Sequence, residues 1–205
     1  MERRQRMLEA ASGLFGTSGY DAVQMDDVAR AAGVGKPTLY RYFGSKEELF
    51  LEVLGEVLQQ LQLQLEEVAA RSLPPPESLA LMMRTLVDTL ARHTEPLRLI
   101  AGDNPGLAHR LRAAFRNRRR PILEVLRRVL VEGMANGDFR RLDLEVTPAL
   151  LLGMIRGGLI NAPGVARERL AEAAIDLVLH GGLAAPTESA ARAADAAQGR
   201  APAAR

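Results

Sequence analysis

Gly33-Val34-Gly35-Lys36-Pro37-Thr38-Leu39-Tyr40-Arg41-Tyr42-Phe43 is the stretch on which the reading of the fold turns. Its two glycines bracket a sharp turn. Pro37 fits the first turn of a helix, where a missing N–H leaves no bond unmade. The helix that follows carries threonine and tyrosine hydroxyls and two cations, with no acid. That mix suits phosphate oxygens and base edges. Upstream, Met25 to Ala32 reads as a second short helix. Its first turn holds Asp26 and Asp27, which complement the helix dipole. Two short helices joined by a glycine-containing turn form a helix-turn-helix, in which the second helix lies in the major groove. The inward residues are then Val28, Ala29, Val34, Leu39 and Phe43, leaving Lys36, Thr38, Tyr40, Arg41 and Tyr42 turned outward.

Outward from this segment the chain reads as helix throughout. Arg3 to about Ser18 places Met7, Leu8, Ala11, Leu14 and Phe15 on one stripe, and Gly19 is a left-handed helix stop. Ser45-Lys46-Glu47-Glu48 has the form of a capping box, with serine at the N-cap and glutamate three residues on. It opens a long helix to about Ala70. Further helices are expected at 77–93, from Leu107 to about Gly137 with an interruption at Arg120-Pro121, at 148–161 and at 167–180. From Ala185 the composition turns to Ala, Pro, Arg, Ser and Gly with no large apolar residue, which predicts a disordered tail.

Composition narrows the function classes. With 47% apolar residues the 205-residue chain can bury a core. It has no cysteine, which excludes disulfides, thiolate metal sites and cysteine nucleophiles. The N-terminus lacks the apolar run of a signal peptide, and no stretch approaches ~18 uninterrupted apolar residues. A soluble, cytoplasmic protein is expected. Net charge is only +2, and residues 1–50 are neutral, with seven cations against seven acids. The basic character is therefore local. The chain's only two lysines, Lys36 and Lys46, flank the opening segment.

The run Gly19-Tyr20-Asp21, then Met25 to Val34, then Lys36 to Phe43, then Ser45 to Leu49 strongly resembles the TetR family of transcriptional regulators. The detailed match covers roughly residues 3–55; the remainder is similar in helix number and length. The resemblance implies an all-α, nine-helix homodimer that binds double-stranded DNA. The expected parts are a helix-turn-helix domain at 1–47, a ligand-binding and dimerisation domain at 48–183, and the tail at 184–205. It carries DNA-contact roles to Lys36, Pro37, Thr38, Tyr40, Tyr42 and Lys46, with Tyr42 and Lys46 mainly on phosphate and Arg41 less direct. Two departures stand out. Val23 and Gln24 occupy the place of the usual Thr or Ser cap, so Gln24 is a poorer cap that can still reach phosphate. Gly35 replaces a frequent serine.

The C-terminal half offers less specific signals. Pro148 to Ile160 is apolar around most of its circumference, which requires burial on more than one side. Leu151, Met154, Ile155 and Gly158, with Leu170, Ala174, Leu177 and Val178 of the last helix, are the expected dimer interface; monomer core is the competing reading. Met82, Met83, Leu86 and Leu90 are candidates for a pocket that takes a small apolar or amphipathic effector. Leu97, Ile100, Leu111 and Phe115 extend that set, and core packing explains each residue as well. His93 is a candidate polar group there. With His109 it makes a weak metal case, since no carboxylate pattern accompanies the pair. The arginines between 110 and 120 read as solvated helix faces, with an anionic effector or further phosphate contact as the alternative. No cofactor, metal or catalytic motif is expected. An enzyme with a novel pocket and a helical small-molecule binder with a degenerate DNA head are the competing classes.

Overall fold

The computed structural model describes residues 2–94, 98–99 and 105–181. The described residues form nine helices and no strand: α1 Glu2–Ala22, α2 Met25–Ala31, α3 Lys36–Tyr42, α4 Lys46–Ala69, α5 Pro75–Ala91, α6 Pro105–Arg118, α7 Arg120–Asn136, α8 Thr147–Asn161 and α9 Arg167–Leu179. The expected all-α architecture is the observed one. Leu97, Ile100 and the tail at 184–205 lie outside the described residues. The chain divides into a unit ending at Ile175 and a second beginning at Asp176.

In the head, α1 packs on α2 and α4, and α2 on α3. Its centre is aromatic. The Phe15 and Phe50 rings meet edge-on at 5.0 Å, and Tyr20 meets Phe50 edge-on at the same distance. Met7, Leu8, Leu39 and Phe43 are buried around them. Gly19 breaks α1 as expected, but not as a left-handed cap. At φ 78°, ψ 162° it kinks the helix, which resumes for one further turn to Ala22. That extra turn carries Tyr20 into the aromatic cluster.

In the body, α4 packs against α5, α6 and α7, and α8 packs on α5 and α7. The buried face of α4 runs from Leu49 and Phe50 to Leu65 and Val68, so one helix serves both cores. Its N-cap Ser45 accepts from the Glu48 N–H at 3.1 Å. The reciprocal half of the box is displaced by one residue: the Glu48 carboxylate accepts from the Gly44 N–H at 3.0 Å. Gly55 allows a close approach, because a Cβ there would sit 1.5 Å from the Arg118 Nη1 that crosses α4. The interruption expected near Pro121 is the junction of α6 and α7, with Pro121 in the first turn of α7. Among the described residues no helix is long and apolar enough to cross a membrane.

Candidate nucleic-acid interface

The turn between α2 and α3 depends on Gly33, whose φ of +66° L side chains rarely adopt. The Gly33 N–H donates to Arg30 O and the Val34 N–H to Ala29 O, which closes α2 into the turn. The chain leaves through Gly35, the N-cap of α3, and Pro37 occupies the first turn. Leu39 and Phe43 then plug the head core, 0% and 1% exposed, while Tyr40 and Tyr42 stand 42% and 41% exposed. Lys36, Pro37 and Arg41 are exposed too, and Thr38 is half-buried. Val34 is half-buried rather than fully inward. The Arg41 guanidinium lies 5.9 Å from the centre of the Tyr42 ring. The short helix therefore separates its apolar side from a face of hydroxyls and cations.

Neither lysine hangs loose. Lys36 Nζ pairs with Asp26 on α2, 2.9 Å from Oδ1 and 3.1 Å from Oδ2. The hydrogen bond and the charge of Asp26 raise the lysine pKa, so Lys36 stays cationic. Lys46 is more deeply engaged. Its ammonium donates to the carbonyls of Tyr20 at 3.0 Å, Val23 at 3.1 Å and Asp21 at 3.4 Å, and lies 4.4 Å from the centre of the Tyr20 ring. It caps the last turn of α1, where the helix dipole favours a cation, and ties that turn to the start of α4. Burial first, and then the charge of Glu47, raise the Tyr20 pKa, which keeps that phenol protonated.

Gln24 is the N-cap of α2 and its side chain is exposed. The weak cap is offset by Asp27, whose Oδ2 accepts from the Gln24 N–H at 3.2 Å and whose Oδ1 holds Arg30 at 3.2 Å. A surface groove of about 500 Å³ gathers Gln24, Asp26, Lys36, Tyr40, Ser45 and Lys46 between the N-termini of α2 and α4. Asp27 lines it as well, so the groove sets two lysines against two carboxylates. Asp26 is a member that the sequence reading missed. Ten residues separate it from Lys36, so no helical spacing signals the pair.

The candidates of the body fall less neatly. Met82, Met83, Leu86, Leu90, Leu111 and Phe115 are all buried. His93 is half-buried and lines a separate cleft of about 200 Å³ with Gln5, Glu9 and Glu56. Burial first, and then the charge of Arg92, lower its pKa. His109 is exposed, and the described residues contain no cluster of three metal-ligating side chains. Of the expected interface set, Leu151, Ile155 and Ala174 are buried within the protomer. Met154, Gly158, Leu170 and Val178 are half-buried, and Leu177 is exposed. The outward side of α8 is instead marked by Leu150, 64% exposed, and by Gly153, around which nothing lies within 4 Å of a built Cβ. Gly158 does permit close packing, but inside the chain: a Cβ there would meet Leu170 Cδ1 at 2.6 Å.

The fold and this face define a helix-turn-helix regulator. The family model for "Bacterial regulatory proteins, tetR family" matches residues 7–53, and that for "Tetracyclin repressor-like, C-terminal domain" matches residues 72–159. The HTH-type transcriptional repressor KstR2 of Rhodococcus jostii is 30% identical over 152 residues, covering 70% of this chain and 71% of that protein. The uncharacterized HTH-type transcriptional regulator YhgD of Bacillus subtilis is 28% identical over 152 residues, 74% of this chain and 80% of that one. In fold the chain is similar to the regulator FadR from Bacillus subtilis, solved with stearoyl-CoA. The TM-score is 0.74 at 23% identity, over 87% of this chain and 99% of that one. The chain belongs to the TetR family and is a DNA-binding transcriptional regulator.

Proposed function

We propose that the protein is a cytoplasmic, ligand-responsive repressor that binds a pseudopalindromic operator as a homodimer. One observation carries the DNA reading: α3 buries Leu39 and Phe43 while holding Tyr40, Tyr42, Lys36 and Arg41 outward on one short helix. In this reading Lys36, Pro37, Thr38 and Tyr40 lie nearest the bases. Tyr42, Arg41 and Gln24 reach phosphates, where hydroxyls and amides donate to oxygen. Lys46 acts chiefly by fixing the turn that presents them. A dimer sets two such helices about 34–36 Å apart, the spacing of successive major grooves. The exposed Leu150 and the open Gly153 on α8 support pairing through that helix, with Leu177 as a further exposed apolar residue.

The effector in this proposal is an amphipathic acyl compound. The apolar residues of α5 and α6 support it, and the likeness in fold to a regulator solved with stearoyl-CoA points to the same class. A ligand that favours the dimer with misplaced heads weakens DNA binding by linkage. The functional test is genome-wide mapping of bound DNA, followed by titration of the recovered site at several salt concentrations. The reading expects a two-fold-related site bound with an affinity that falls steeply with salt. Binding that ignores sequence would defeat it. Light scattering at micromolar concentration tests the dimer, and a monomeric mass would remove it.

A further inference from the structure

The two carboxylates at the start of α2 are used differently. Asp27 serves the fold, accepting from the Gln24 N–H through Oδ2 at 3.2 Å and from Arg30 through Oδ1 at 3.2 Å. Among the described residues the Asp26 carboxylate meets no backbone donor. Its oxygens lie 2.9 and 3.1 Å from Nζ of Lys36, the first residue of α3 across the turn. The two lysines divide in the same way. Lys46 is held by three carbonyls and a ring, whereas the Lys36 and Asp26 side chains are 57% and 54% exposed. An ion pair at that exposure contributes little stability. It opens instead onto the groove that Gln24 and Tyr40 line.

The chemistry of such a pair favours bases over phosphates. A free lysine is a mobile point charge on a four-carbon stem and attracts any phosphate in reach. With a carboxylate 2.9 Å away its charge is largely cancelled at a distance, and the carboxylate repels phosphate oxygens. Guanine O6 and N7 are neutral acceptors in the major groove, so that repulsion does not reach them in the same way. An ammonium has three N–H donors. Clamped on one side by both carboxylate oxygens, Lys36 keeps at least one donor for an outside acceptor. A donor already held in place loses less freedom on binding than one on a loose stem.

We propose that Asp26 is a positioning residue that sets sequence specificity: it fixes the Lys36 ammonium to donate to a guanine in each operator half-site and withholds it from phosphates. This rests on the DNA reading above, in which Lys36 lies nearest the bases, and adds a residue to which that reading gives no part.

The test uses fluorescence anisotropy with the full chain, the mapped operator, its single G·C→A·T replacements and a duplex of scrambled sequence. Replacing the guanine that Lys36 contacts should cost the parent about 5- to 100-fold in affinity, the range for one base contact. Lys36→Met should erase that penalty, and Asp26→Asn should blunt it at the same base pair. The double variant should discriminate no worse than Lys36→Met, because the two residues act as a unit. On scrambled DNA, Asp26→Asn should bind about 3- to 10-fold more tightly at about 0.1 M salt, with a log–log salt slope steeper by about 0.9, as for one more phosphate neutralised. It should melt within about 4 °C of the parent, since the pair is exposed. An unchanged penalty in Asp26→Asn, a penalty blunted at a different pair, a double variant worse than Lys36→Met, or a parental salt slope on scrambled DNA each overturns the proposal. A larger fall in Tm does so too, by making Asp26 a residue of the fold. A parent that prefers no sequence defeats the operator reading and this proposal together; a parent that binds its operator specifically beside an indistinguishable Asp26→Asn defeats this proposal alone.

Discussion

The head and the body bury their apolar residues by different rules. In the head each short element has few inward positions, and each is specified. Leu39 and Phe43 anchor seven residues of α3, Gly33 sets the turn, and Lys46 stitches α1 to α4. In the body, long helices share a broad core of leucine, valine, isoleucine and methionine, where many sequences of similar volume would pack. A presented surface demands fixed identities beneath it; a helical core demands mainly pattern and volume. The head's sequence is therefore motif-like and the body's is not.

That contrast can be broken by matched core substitutions. Phe43→Ala should cost about 3–5 kcal/mol, as aromatic truncations in cores do, and should abolish DNA binding. Met82→Leu in the body should cost less than about 1.5 kcal/mol. Chemical denaturation of both variants measures the difference, and similar losses would erase the distinction. Next in size is Lys46→Met. Removing three donated bonds to the carbonyls of Tyr20, Asp21 and Val23 should cost about 1–3 kcal/mol. Faster amide exchange at the end of α1 should accompany that loss. A variant with parental stability would return Lys46 to a pure contact role.

The join between the two regions gives smaller effects. Glu52 accepts from Arg4 of α1 at 2.5 Å and from Arg118 of α6 at 2.7 Å, so one carboxylate on α4 touches both head and body. All three side chains are partly exposed. Glu52→Gln should therefore cost only about 0.5–1 kcal/mol in a thermal melt. A larger loss would mean that the two regions are coupled more tightly than ion pairs of this exposure allow.

His93 gives the smallest expected signal. Its folded pKa lies below the ordinary value, so the unfolded chain binds its proton first as pH falls. The contribution of neutral His93 is whole above about pH 6.5 and declines as pH drops below that value. Glu9 and Glu56 line the same cleft. His93→Gln should flatten the upper part of the acid limb of stability against pH. A limb identical to the parent's would show that the cleft does not hold the imidazole neutral.

Most of the head was legible because its signals are local. Glycines at the turn, proline in the first turn of α3 and serine before α4 each act within three or four residues. What escaped depends on chain brought together from further away. The three carbonyls around Lys46 are assembled by the kink at Gly19, and the Lys36–Asp26 pair spans a turn. In the body, helix positions could be read but rotation could not. A shift of one residue is 100° on a helix, enough to place Leu150 outward where Leu151 was expected. The arginines of α6 escaped likewise, because their partners Glu47 and Glu52 lie on α4, some sixty residues earlier.

The central claim is that the outward face of α3 reads DNA while its inward face only holds the fold. Fluorescence anisotropy with the mapped operator tests it directly, using a Thr38→Ala/Tyr40→Ala/Tyr42→Ala variant of the full chain. The account predicts a melting temperature close to the parent's and an operator affinity about 100-fold or more weaker, as expected when several phosphate and base contacts are removed together. Parental affinity in a folded triple variant would contradict it.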